Sequence, residues 1–361
     1  MTKTRVNEID LLRFLAALSV VFYHYSFRGY AADGMSIMPY PLLAPLAKYG
    51  SLGVELFFMI SGFVILMTAA DGSLKKFIVS RMVRLYPAFW ACCTITFVAI
   101  VLMDDPRFSA SIGQYLVNMT LLSKFFKVPS IDGVYWSLFV EIRFYALVAF
   151  VLLIKRIHQA QLFLILWLLS SVVLVIIPVD KLRYLLIVDY SAYFIAGATY
   201  FLVWKQGVSK GKFFLIIASW GLAIYQSTNA FSGFEKQFST TINGYIVAGI
   251  ITMIFVAMFL VSIRCTGFFG RNRWLMVGAI TYPLYLIHQN IGYLIFNANY
   301  PAVSNHLVLW GTILFMLLVA YLVNVFIEKK ISSPMKIRIN IFLDFMHLLM
   351  KKFAECIAFR F

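Results

Sequence analysis

Arg13 and His24 stand eleven residues apart in the first apolar run, IDLLRFLAALSVVFYHYSF. In a helix, eleven steps of about 100° return to within about 20° of the same face, while a rise of about 1.5 Å per residue separates the two side chains by roughly 16 Å. Arginine offers a planar, permanently charged fork for phosphate or carboxylate. Histidine offers a base that titrates near neutrality. Ionisable groups inside a span are costly and point to function by default. The plain alternative is that both snorkel, Arg13 to one interface and His24 to the other.

Further polar groups recur in apolar surroundings. Arg81 and Arg84 are three apart in RMVRLYP, and Ser137 and Glu141 are four apart in VYWSLFVEIRFY, hence on one helical face. Glu55 precedes FFMISGF, which holds Ser61 and Gly62; Tyr285 and His288 follow Pro283 in ITYPLYLIHQN. Each has a bland counterpart. The arginines serve equally as positive-inside anchors, Glu141 and Arg143 as an interfacial pair, and His288 as a hydrogen-bonded packing residue. SGF reads as a close contact of small residues between helices, and Trp90, Trp136 and Trp274 as an interface belt.

These residues need membrane helices to position them. Of the 361 residues, 62% are hydrophobic, 17% aromatic and only 13% charged, far from a soluble domain. Ten apolar runs of spanning length are expected, at about 9–27, 52–70, 84–103, 138–154, 162–178, 184–204, 212–226, 243–263, 274–296 and 307–327. The fold class is therefore an all-α polytopic bundle, with residues 1–330 as one transmembrane domain and 331–361 as a basic amphipathic tail. The first run carries Asp10 and Arg13 and no small-residue cleavage site follows, so it is expected to stay as helix one.

Lys and Arg placement sets the orientation. With both termini cytoplasmic, the inner segments hold 21 basic residues and the outer loops eight, as the positive-inside rule requires. The net charge of +16 then calls for anionic lipid headgroups and no nucleic acid. On this topology Arg13, Arg81 and Arg84 form an inner arginine layer. His24 and Glu141, joined on the same side by His288 and Glu55, form an outer acid–base layer.

Cys92 and Cys93 are adjacent within one run, Cys265 lies in a loop and Cys356 in the tail. Neither a disulfide nor a metal site is expected. Within the outer loop at about 104–137, SIGQYLVNMTLLSKFF suits a short helix on the membrane surface. The tail lies along the inner interface or re-enters the membrane.

Five ordered segments resemble the acyltransferase-3 family of integral-membrane acyltransferases: Arg13 to His24 as an Arg-x10-His motif, FFMISGF, Arg81 to Arg84, WSLFVEIRFY and ITYPLYLIH. The resemblance covers about 5 to 330. Pro283 departs from it, standing where related proteins often carry a small residue, and is expected to kink its helix. A fused hydrolase-like domain, present in some members, is not expected, so any second transfer step would involve another protein or not occur.

The resemblance implies transfer of an acyl group, most commonly acetyl, from cytoplasmic acyl-CoA to a hydroxyl of a glycan or lipid-linked saccharide, making the chain a membrane-bound O-acyltransferase of a bacterial cytoplasmic (inner) membrane. His24 would be the base and Glu141 its orienting carboxylate; Arg13, Arg81 and Arg84 would hold the CoA phosphates. Asp10, Ser61, Trp136, Ser137, Tyr285 and His288 would support the site. Acyl-CoA (acetyl-CoA) enters as donor substrate, with no metal. Direct transfer is favoured, an acyl-histidine intermediate is kept open, and so is a homodimer. The competing class is a permease or flippase, which would show internal repeats and paired broken spans.

Overall fold

A computed structural model describes residues 5–238 and 240–358; Lys3 and Arg360 of the charge count and residues 359–361 of the tail lie outside the described residues. No β-strand occurs among the described residues. In chain order the principal helices are α1 (Asn7–Tyr23), α2 (Gly53–Ala69), α3 (Leu74–Met103) and the short α4 (Ile112–Asn118). There follow α5 (Tyr135–Leu153), α6 (Ala160–Ile176), α7 (Val188–Gln206) and α8 (Lys210–Phe238). The last are α9 (Gly244–Ser262), α10 (Leu275–Asn299), α11 (Asn305–Val323) and α12 (Lys329–Ala358).

Among the described residues, eight helical stretches are long and apolar enough to cross a membrane. The other two expected spans, α8 and α10, are helices of 29 and 25 residues with a more polar composition. For α10 the reason is its position. Pro283 through Leu294 is buried without a break, so its polar side chains face protein rather than lipid. Such a helix is the inner post of a bundle. It packs against α1, α3 and α11, and it runs on through Pro283.

A second inner post is α7, which packs most extensively on α2. Gly197 and Gly62 make that approach: a Cβ on Gly197 would collide with the Met59 carbonyl, and one on Gly62 would meet the Phe194 carbonyl and, at 2.9 Å, the Ala198 nitrogen. The small residue of SGF is thus where two backbones touch, as small-residue packing in membranes predicts.

Local signals set the ends. Ser73 and Ser304 cap α3 and α11 by accepting from Lys76 N and Leu307 N. In the loop at about 104–137 only Ile112–Asn118 is helical, started by a Ser111/Gln114 capping box; the rest of the expected surface helix is turns. After α11 a π-helical turn, Asn324–Glu328, leads into α12, which docks on α3.

Candidate active site

The site begins where α1 changes its winding. His24–Arg28 is π-helical, with Gly29 N–H bonded to the His24 carbonyl. Single π turns inside α-helices frequently mark functional positions. The Tyr25 hydroxyl donates to the His288 carbonyl at 2.6 Å, pinning the turn to α10. The Tyr25 ring fits because residue 292 is glycine, where a Cβ would collide with it.

This junction brings two histidines together. His24 Nδ1 and His288 Nε2 are 3.1 Å apart although 264 residues separate them in sequence, and both residues are buried. Backbone carbonyls assign the tautomers. His288 Nδ1 lies 2.8 Å from the Tyr285 carbonyl and His24 Nδ1 lies 2.9 Å from the Val20 carbonyl. Carbonyls only accept, so each Nδ1 carries its hydrogen in the neutral ring. The bare Nε2 of His288 then accepts from His24 Nδ1–H, and the lone pair of His24 Nε2 is left for chemistry. This is the logic of an oriented base, with a neutral histidine in the orienting role.

The expected partner of His24, Glu141, lies elsewhere. Its Oε1 accepts from the Ser61 hydroxyl at 2.8 Å, halfway along α2, and it shares an electrostatic neighbourhood with Arg13. The alternative of a Glu141–Arg143 pair does not form either: Arg143 donates to the Tyr184 carbonyl at 2.5 Å and lies over that ring at 4.2 Å.

The arginines gather around Arg13, roughly 16 Å along the first helix from His24. Arg13 is in electrostatic reach of Arg84, Asp10, Glu141 and Arg81. Its contact with Asp10 is loose, at 4.0 Å, because Arg5 holds Asp10 at 2.7 Å. Arg84 is ion-paired to Glu328 at 2.7 Å and lies over Tyr282 at 5.2 Å. Arg81 donates through Nη2 to the hydroxyls of Thr68 and Ser80, both at 3.1 Å, and lies over Tyr145 at 5.7 Å. Its Nε is buried without a partner. Because α3 starts at Leu74, both arginines sit inside the helix rather than at its edge.

Among the supporting positions, the Ser137 and Tyr285 hydroxyls are 2.7 Å apart, joining α5 to α10 next to the Tyr285 carbonyl that holds His288. Trp136 packs on Tyr190 and Phe58, with ring centroids at 5.5 and 6.1 Å. Glu55 keeps one buried carboxylate oxygen without a partner.

Two acidic residues of the site were not anticipated. Glu328 hides at the end of a long apolar run, and its other oxygen accepts from Asn324 at 3.0 Å. Asp132, fully buried in the loop before α5, accepts from the backbone N–H groups of Val134 at 3.1 Å and Asn290 at 3.0 Å. Asn290 Nδ2 answers by donating to the Ile131 carbonyl at 2.9 Å. Burial pushes the Asp132 carboxyl up to about 7, against the pull of the two N–H donors. The signal in sequence was Asp-Gly ahead of an apolar run, which reads first as a turn.

Comparison with known proteins identifies the family. Residues 6–325 match the family described as "Acyltransferase domain". The chain is also similar to nodulation protein 10 of Rhizobium leguminosarum bv. viciae, 28% identical over 173 residues, which is 42% of this chain and 45% of that protein. The matched stretch thus spans less than half the length of that relative. No solved structure matches. With the family match running through nearly every helix of the bundle, from before α1 to the π turn after α11, the chain belongs to the acyltransferase-3 family of membrane acyltransferases.

Proposed function

We propose that the protein is an O-acyltransferase that moves an acetyl group from cytoplasmic acyl-CoA to a hydroxyl of a glycan or lipid-linked saccharide, in a bacterial cytoplasmic membrane. The observation that carries this reading is the buried His24–His288 pair with His24 Nε2 left free, on the same helix as Arg13 and roughly 16 Å along it. The pantetheine arm of CoA has a length of that order, so phosphates held at the arginines would bring the thioester to the dyad. Arg81 and Arg13 suit that role, since one has an orphaned Nε and the other only a 4.0 Å contact. Arg84 is already engaged by Glu328 and would position its neighbours.

The acceptor oxygen attacks the thioester carbonyl carbon as its proton passes to His24 Nε2. The imidazolium that forms donates Nδ1–H to His288 Nε2 and the Val20 carbonyl. The tetrahedral intermediate collapses with cleavage of the C–S bond, and the proton on His24 goes to the departing CoA sulfur. The products are an acyl ester and free CoA, with no net proton uptake by the protein.

Membrane vesicles of both orientations test the sidedness. Radiolabelled acetyl-CoA is expected to label endogenous glycan or lipid-linked saccharide in inside-out vesicles, and not in sealed right-side-out ones. Vesicles carrying His24→Ala should remain unlabelled. Equal labelling from both faces, or unmodified sugar accumulating with no CoA released, refutes the reading.

A further inference from the structure

On the Arg28 side of the dyad, three observations converge. Tyr293 is fully buried, and its hydroxyl has no hydrogen-bond partner. Its ring lies 6.5 Å from His24, centroid to centroid, and crosses the chain at Gly29, just after the π turn, where a Cβ would come within 2.9 Å of the ring's Cζ. A glycine at the end of the π turn is therefore what lets the ring lie there. Ser26, within the same π turn, is also buried with an unpartnered hydroxyl. Beside them Arg28 Nε is paired to Asp33 at 2.6 Å, and this pair is in electrostatic reach of Tyr293. Arg28 also reaches His24.

A buried hydroxyl without a partner asks for a reason; of the seven among the described residues, Ser26 belongs to the π turn of His24 and Tyr293 to the ring beside it. The Tyr293 hydroxyl, the free His24 nitrogen and an arginine already neutralised by its carboxylate together offer donors and acceptors with no unpaired charge to select an anion. We infer that Tyr293, with the Arg28–Asp33 pair, forms the acceptor subsite and takes a vicinal diol: one hydroxyl goes to His24 Nε2, and its neighbour is held by the Tyr293 hydroxyl. An acceptor with adjacent hydroxyls, as on a hexopyranose ring, satisfies the orphan group. A simple alcohol leaves it stranded. This inference rests on the acyl-transfer reading above and assigns the acceptor side of the same site.

The test uses the full chain in lipid nanodiscs, acetyl-CoA as donor, and octyl β-glucoside below its micelle threshold as acceptor, with acylated glucoside read by mass spectrometry. Tyr293→Phe keeps the ring against Gly29 and removes one neutral hydrogen bond, so the glucoside KM should rise roughly 3- to 10-fold. The kcat at saturating glucoside and the KM for acetyl-CoA should stay within about 2-fold. Gly29→Ala, which displaces the ring, should raise the glucoside KM further. A melting temperature shared by wild type and Tyr293→Phe separates the effect from misfolding. An unchanged glucoside KM in Tyr293→Phe overturns the subsite while leaving the transferase intact, as does a loss confined to kcat. Wild-type protein that consumes no acetyl-CoA overturns the acyl-transfer reading and the subsite with it.

Discussion

Replacing His288 removes the acceptor that steadies His24, and the geometry sets the size of the effect. In the resting site, His24 Nδ1–H is shared between the Val20 carbonyl at 2.9 Å and His288 Nε2 at 3.1 Å. Once His24 takes the acceptor's proton, both become hydrogen bonds from a charged donor, each worth about 1.5–3 kcal/mol. The neutral bond of the resting site is already worth about 0.5–1.5 kcal/mol, so only the gain of about 1–1.5 kcal/mol reaches kcat; at about 1.4 kcal/mol per decade of rate, losing it predicts a fall of roughly five- to tenfold. Val20 remains as the second acceptor, so the loss should stay below the roughly 10²- to 10⁴-fold expected when the base itself is removed in His24→Ala. The assay is initial-rate release of CoA thiol in detergent or nanodiscs, over a range of acetyl-CoA concentrations. His288→Ala should lower kcat with the KM for acetyl-CoA nearly unchanged, because the arginines lie elsewhere in the bundle. His288→Gln offers an amide oxygen to Nδ1–H and should recover part of the rate, which a purely packing role would not explain. A wild-type kcat in His288→Ala, or a loss wholly in the donor KM, refutes the orienting role.

Arg81→Ala should raise the KM for acetyl-CoA about tenfold, the loss of one charge-assisted contact, whereas Arg84→Ala should also lower the melting temperature because it strands Glu328. Titration with CoA and melting curves read both, and CoA affinity unchanged by Arg81→Ala refutes the donor role. Asp132 supplies a pH test. Its folded carboxyl titrates near 7 rather than near 3.8, so its contribution to stability is full below about pH 4 and is lost as pH rises through about 7, at most about 4 kcal/mol. Asp132→Asn copies the protonated acid, so the melting temperature should fall less between pH 5 and 8 than in wild type; parallel profiles refute the assignment.

The helices were legible because hydrophobic period and length are local properties. So was Gly62, whose place beside Ser61 in an apolar run announced a close contact of small residues. The partner of His24 was not. His288 reaches it through the pairing of α1 with α10 and the π turn at His24, and neither leaves a mark in the spacing of residues. Counting depth from helix ends put Glu141 level with His24. In the structure α5 starts at Tyr135, and Glu141 meets Ser61 in the middle of α2. Two residues thus drawn together on paper belong to different networks. Asp132 escaped notice for the opposite reason, since a loop carries no period and its burial is decided by α10 lying across it.

The distribution of acids explains how so many arginines sit in an apolar bundle. Arg84 has Glu328, Arg5 has Asp10, and Glu141 stands near Arg13. A cluster balanced in this way is cheaper to hold away from water than bare guanidinium groups, since an unpaired buried charge is the expensive case. Balance would also make the cluster a poor anion site if every arginine were equally engaged, and they are not. Arg84 is bound in a short ion pair, Arg13 keeps only a long contact, and Arg81 is held by hydroxyls with its Nε bare. Hydroxyl partners give way to a phosphate far more readily than a carboxylate does, because they leave no uncompensated charge behind. On the proposed reading, the donor therefore docks on Arg81 and Arg13 while the Arg84–Glu328 pair stays closed, and Glu141, fixed by Ser61, leaves the emptied site with one positive charge in excess.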